Sequence, residues 1–255
     1  MNERRAATRT SRVTRVKGSK QARKSDAVYE DLRRMILTGR LTSDSPITEQ
    51  ALAQDYGCSQ GTVREALMLL NEFGLVVRRG YQGTFVTDPT LLEAQLMLKL
   101  RVEIETTGIV EAVRHITPDD LAELRELDRQ FLDFRMKRDV FGCAETDRAL
   151  HLKLFQAARM PVLEPMLVRT IMLLQRVMLP GPRSEAAWTR PNVTHHCTVF
   201  EALEDRDEMR AVTALKRHIL SSAVLLAPQF YGTDLDRLQA DFDLVPLLAA
   251  GAAGR

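Results

Sequence analysis

A chain of 255 residues, 45% of them hydrophobic, is long for one compact domain and can furnish two separate cores. Its three cysteines, Cys58, Cys143 and Cys197, are odd in number and form no CxxC pair, which speaks against a disulfide framework or a zinc ribbon and points to a reducing compartment. No apolar run reaches the roughly 18 residues that cross a bilayer, and the N-terminus lacks the hydrophobic stretch of a secretory signal, so a cytoplasmic protein without membrane contact is expected.

The formal net charge of +2 hides an uneven distribution. Arg4, Arg5, Arg9, Arg12, Arg15, Lys17, Lys20, Arg23 and Lys24 stand against Glu3 alone in the first 25 residues, so that stretch carries about +8 and leaves about −6 for the rest. Without apolar periodicity, residues 1–25 read as a disordered basic arm, suited to attract phosphates or simply to keep the chain soluble.

Order is expected from Asp26, where Val28, Leu32, Met35 and Ile36 repeat along a first helix that Gly39 ends. Thr48 caps a second, short helix through Leu52 and Ala53 to Tyr56. Gly57 closes it, and Ser59 caps a third helix in which Val63, Ala66, Leu67 and Leu70 form an apolar stripe as far as Phe73 and Gly74. Leu75–Arg79 and Thr84–Val86 read as two strands around a turn holding Gly80 and Gly83. Residues 26–88 are thus a winged helix-turn-helix in outline.

In such a unit the reading helix enters the major groove N-terminus first. Ser59 and Thr62 suit phosphate contacts, Gln60 can pair with adenine, Arg64 can grip a phosphate or a guanine edge, and Gly61 lets the helix approach closely. Arg78, Arg79 and Gly83 on the wing suit backbone or minor-groove contact. The plainer reading is a unit of the same shape that serves only protein contacts.

From Leu91 to Pro228 the pattern is helical throughout, with segments near 91–115, 118–137, 139–158, 162–179, 191–205 and 207–226 broken at Pro118, Pro161, the Pro180-Gly181-Pro182 loop, Pro191 and Pro228. The fold class expected is mainly α, with an N-terminal winged helix-turn-helix and a C-terminal all-helical antiparallel bundle over 91–227. The tail, 228–255, offers one more helix through Leu235, Leu238 and Phe242.

Asp147 and His151 stand four apart on the stripe Asp147, Leu150, His151, Leu154, Ala158, so both can point to one centre. His196 joins Val199, Phe200 and Leu203 on a later apolar stripe, which His195 fits less well, and His218 joins Ala211, Ala214 and Leu215 on another. Each histidine alone reads as a satisfied core residue. Three imidazoles and a carboxylate converging inside a bundle would suit a divalent metal, Zn²⁺ first and Ni²⁺, Mn²⁺ or Fe²⁺ next.

Residues 26–88 resemble the N-terminal domain of the GntR superfamily of bacterial transcription regulators. Ser59, Gly61, Thr62, Val63, Arg64, Glu65, Ala66 and Leu67 carry the likeness, with Glu49, Leu52, Ala53 and the stretch Gly83–Val86. Gln60 departs from it, standing where that family usually has Arg, which shifts the expected base partner from guanine towards adenine. Residues 91–227 resemble the FCD effector domain of the superfamily's FadR branch, in which an Asp-x-x-x-His pair and two later histidines hold a metal. Asp147, His151, His196 and His218 match that set, and Ala202, Asp207 and Ala211 keep the spacing that favours His196 over His195. Arg101 and Glu105 match the branch's Arg-x-x-x-Glu, where the arginine meets an effector carboxylate; Met160 departs from a common Asn.

The resemblance implies a repressor released by a small carboxylate effector at a metal centre. A homodimer on a palindromic stretch of double-stranded DNA is expected, because one winged module buries little DNA surface. Two other readings of the same residues are a metal-dependent hydrolase or lyase with an accessory DNA-binding head, and a purely structural metal.

Overall fold

The computed structural model describes residues 20–80, 83–179 and 196–243. The expectations for residues 1–19, the Pro180–Pro182 loop, the start of a helix at 191, His195 and the last twelve residues fall outside them. The N-terminal unit comprises α1 (Lys20–Leu37), α2 (Glu49–Asp55), α3 (Gln60–Glu72), β1 (Val76–Arg78) and β2 (Thr84–Val86). Helix α1 begins six residues before the expected Asp26, so the last part of the basic arm is helical. Lys20, Gln21, Ala22, Arg23 and Lys24 are all good helix formers, and no cap at Asp26 stops the helix from extending backwards.

The turn between α2 and α3 is built by Gly57 at φ 55°. Its N–H donates to Gln54 O and that of Cys58 to Ala53 O, a Schellman closure that reverses the chain in two residues. Ser59 then starts α3 by accepting from Thr62 N at 3.1 Å. Val28, Leu32 and Ile36 of α1 meet Val63, Ala66, Leu67 and Leu70 of α3 in a dry core. The antiparallel strands pair Val76 with Val86 and Arg78 with Thr84, and Ile47 adds an isolated bridge to Thr84.

The bundle comprises α4 (Leu91–His115), α5 (Pro118–Met136), α6 (Val140–Ala157), α7 (Glu164–Met178), α8 (Cys197–Glu204) and α9 (Glu208–Leu226). Capping boxes at Thr90/Glu93 and Thr117/Asp120, with Pro118 in the first turn of α5, fix the starts of the first two. Helix α4 packs on α6, α7 and α9, and α6 lies between α4 and α5. The tail helix expected through Leu235, Leu238 and Phe242 is present as α11 (Leu235–Asp243), and a short helix that was not expected, α10 (Pro228–Tyr231), precedes it. Pro228 opens α10 and Gly232, at φ 75°, closes it.

Candidate metal centre

Helix α6 presents Asp147 and His151 one turn apart towards the bundle axis. His196 precedes the first turn of α8, and His218 sits midway along α9. One ligand atom from each of the four lies within 4.8 Å of all the others. Asp147 Oδ1 is 3.3 Å from His196 Nε2 and 3.7 Å from both His151 Nε2 and His218 Nε2; those last two nitrogens are 3.1 Å apart. All three imidazoles are buried and the Asp147 side chain is 14% exposed.

This geometry fits a cation. Donors about 2.1 Å from a common ion stand roughly 3.0–3.4 Å apart where they are neighbours, a range that holds two of these four spacings and lies just below the other two. Among the described residues His196 Nε2 is buried with no hydrogen-bond partner although it faces Asp147, an arrangement costly without something to receive its lone pair or proton.

The electrostatics show how strongly the four are coupled. Burial opposes ionisation of Asp147, yet His151, His196 and His218 hold it well below the usual carboxylate range. Burial also disfavours a charged His196, but Asp128 and Asp147 outweigh it and raise the ring to about 9. His218 is pushed down to about 3 by burial and by His196. Ligation needs neutral imidazoles, so metal occupancy here is linked to proton release.

Two carboxylates outside the quartet complete the picture. Glu105 of α4, 2% exposed, takes a hydrogen bond from His151 Nδ1 on Oε2 and one from Arg101 Nε on Oε1 at 2.6 Å. Burial would raise this carboxyl, but His151 and Arg101 hold it at about 2. Asp128 of α5 accepts from His196 Nδ1 at 2.9 Å. Sequence reasoning passed over Asp128, although it shares a helical face with the buried Leu124 and Phe131, where an acid needs a partner. Glu105 was matched only as a neighbour of Arg101; its contact with His151, 46 residues away, needs the packing of α4 on α6. Both its oxygens are committed, so it is not placed to act as a general base.

Arg101 itself is buried, and its Nε bond to Glu105 is the only hydrogen bond it makes among the described residues. In the winged unit Ser59, Gln60, Gly61, Arg64, Arg78 and Arg79 are exposed, and Gly83 is half-buried with φ 103°. Thr62 differs from the expectation: it is 2% exposed and its hydroxyl bonds Ser59 Oγ at 2.9 Å, so it belongs to the cap and the core. Arg64 is bound by Glu49 of α2 at 2.6 Å. Arg79 lies over the Phe85 ring.

Two family models match consecutive parts of the chain: the bacterial regulatory proteins of the gntR family over residues 24–86, and the FCD domain over residues 96–221. The chain belongs to the GntR family. Among GntR relatives, the HTH-type transcriptional regulator McbR of Escherichia coli is 28% identical over 53% of this chain and 62% of its own length. The HTH-type regulator YdhC of Bacillus subtilis, uncharacterised, is 30% identical over 48% of each chain. The likewise uncharacterised BphR of Paraburkholderia xenovorans is 29% identical over 77% of this chain and 82% of its own. The chain thus spans about three-fifths of McbR and half of YdhC. In three dimensions, E. coli McbR/YncC superposes with a TM-score of 0.63 at 24% identity, over 81% of this chain and 98% of that one. A GntR transcriptional regulator from Rhodococcus sp. RHA1 gives 0.64 at 21%, over 80% and 98%. These structures share the fold, a winged helix-turn-helix followed by an all-helical FCD domain. The relatives are named as regulators, not enzymes. Among the described residues no helix is long and apolar enough to cross a membrane.

Proposed function

We propose that this chain is a ligand-responsive DNA-binding transcription regulator, a cytoplasmic repressor released when a small carboxylate binds in the bundle. The observation that carries this reading is the convergence of Asp147, His151, His196 and His218 within 4.8 Å inside a domain joined to an exposed, polar, basic helix end. Those four residues would hold a divalent metal, with Zn²⁺ favoured by the nitrogen-rich donor set. A bound cation supplies Lewis-acidic charge for a carboxylate oxygen. Arg101, whose two Nη groups make no hydrogen bond among the described residues, supplies the second positive group.

On the DNA side, Gln60 and Arg64 read the major groove, with Ser59 and Gly61 at the phosphates and Arg78, Arg79 and Gly83 on the wing. Thr62 is left out of that set because it is buried. A palindromic operator and a homodimer follow from the small footprint of one winged unit. Helix α4 favours the dimer: Leu92, Leu96 and Leu100 form an exposed stripe at four-residue spacing, open to the same stripe on a second copy.

The test is to recover the genomic fragments the full chain retains, then add di- and tricarboxylic acids singly. Release of the DNA with the acid recovered unchanged is the expected result. Consumption of an acid, or retention unaffected by every acid and by metal chelation, would overturn the reading.

A further inference from the structure

Three imidazoles meet at the candidate centre, and each has two nitrogens. Which nitrogen faces inward decides whether the ring is a ligand or a hydrogen-bond donor. For His151 and His196 the inward atom is Nε2, and in both the outward Nδ1 is taken by a carboxylate from a helix that contributes no ligand: Glu105 of α4 and Asp128 of α5. For His218 the outward Nδ1 is buried and has no hydrogen-bond partner among the described residues. The three rings are therefore not equivalent.

We infer that Glu105 and Asp128 are positioning residues of the metal centre, each fixing the Nδ1–H tautomer of its histidine so that an Nε2 lone pair points inward. The chemistry at Glu105 is the more constrained. Arg101 Nε–H can only donate, so Oε1 must accept. An ionised carboxylate accepts on both oxygens, so Oε2 obliges His151 Nδ1 to carry the hydrogen, and Nε2 is left bare. Glu105 thus ties the arginine proposed for the effector to one metal ligand through a single side chain. A ligand that pulls the Arg101 guanidinium outward loosens the grip on His151. Outer carboxylates of this kind typically contribute 10- to 100-fold in metal affinity.

This inference rests on the reading of Asp147, His151, His196 and His218 as a metal site, and the test separates the two. Glu105→Gln keeps the shape, but its amide has one acceptor and one NH₂. Arg101 claims the oxygen, so the NH₂ faces His151 and drives that ring's hydrogen to Nε2. Asp128→Leu removes the acceptor at His196 from a less buried position, and reports independently through Zn²⁺ affinity should the first variant fail to fold. The full chain is titrated with Zn²⁺ against a chromogenic chelator, beside His151→Ala as a ligand-loss control, and imidazole ¹⁵N shifts of the metal-free proteins report the His151 tautomer. The expected result is a 10- to 100-fold weaker Zn²⁺ affinity in each folded variant, with the His151 ring hydrogen moved from Nδ1 to Nε2 in Glu105→Gln. A folded variant with wild-type affinity and an unmoved tautomer overturns the inference while leaving the metal site standing. Failure of the wild type to bind Zn²⁺ more tightly than His151→Ala overturns the metal site itself.

Discussion

Arg64 leaves the second turn of α3 with its guanidinium held by Glu49 of α2, at 2.6 Å from Nη2 and 3.1 Å from Nε. Both partners are accessible, the arginine side chain 54% exposed, so the pair adds little to stability and serves to aim the group. Arg64→Ala is therefore expected to leave the thermal midpoint unchanged and to weaken operator binding on the order of tenfold at matched salt. Affinity equal to wild type in a DNA titration would remove Arg64 from the reading set. Its exposure on α3 was legible because the apolar stripe Val63, Ala66, Leu67, Leu70 fixes the opposite face. Thr62 was misplaced by the same logic: one position short of that stripe, its methyl turns into the core while its hydroxyl reaches back to the cap. That Asp147 and His151 share one face of α6 was legible from four-residue spacing alone. Asp128 was not, because its partner His196 lies 68 residues further on and only the packing of the bundle joins them.

Helix α6 fits between its neighbours through two close approaches. A Cβ built at Gly108 of α4 would lie 2.6 Å from Cδ2 and Cε2 of Phe155, and one at Gly142 of α6 would lie 2.3 Å from Cδ1 of Phe134. Phe155 is 3% exposed and has no room to retreat. Gly108 is one turn from Glu105, and Phe155 one turn from His151, so this contact sets the distance between a candidate ligand and its outer carboxylate. Gly108→Ala is expected to cost about 1–3 kcal/mol through overpacking and to lower Zn²⁺ affinity as well. Adding Phe155→Leu should recover much of both, read by thermal melting and chelator competition. If Gly108→Ala melts and binds Zn²⁺ like wild type, the contact is not what holds α4 against α6. The helices themselves were readable from apolar spacing and prolines: the starts expected at 91, 118, 139 and 207 fall on, or one residue before, those of the structure. Boundaries without such punctuation were not, and α1 runs back to Lys20 because nothing between Lys20 and Asp26 opposes a helix.

At the scale of the molecule, the two units meet through α6 itself. Glu145 accepts from Arg33 of α1 at 2.8 and 2.6 Å, a two-pronged bond; Arg148 steadies Glu145 at 2.8 Å, and Glu30 holds the far side of Arg33 at 2.7 Å. The Arg33 side chain is 5% exposed; burial opposes its charge, but Glu145 and Glu30 outweigh that and keep it protonated. A second contact runs from Arg169 of α7 to Glu72 O, the carbonyl end of α3, at 2.7 Å. A shift of α6 at Asp147 and His151 therefore reaches α1 within two residues of the centre, and α1 packs on α3. Removing Glu145 leaves the buried Arg33 cation with the largely exposed Glu30 as its carboxylate partner, so Glu145→Ala should destabilise the winged unit by about 1–3 kcal/mol. Two calorimetric transitions are expected in the variant and one in wild type, with Zn²⁺ content unchanged because Asp147 and His151 remain. Arg33→Met with Glu145→Met removes both charges and is expected to restore most of the stability, since a buried ion pair replaced by apolar groups is close to neutral. The double variant then isolates communication from stability: with the fold recovered and the bridge gone, metal removal should change DNA affinity less than it does in wild type. An undiminished response in that variant would place the coupling instead in α4, which leaves the wing at Thr90 and carries Arg101 and Glu105 directly into the centre.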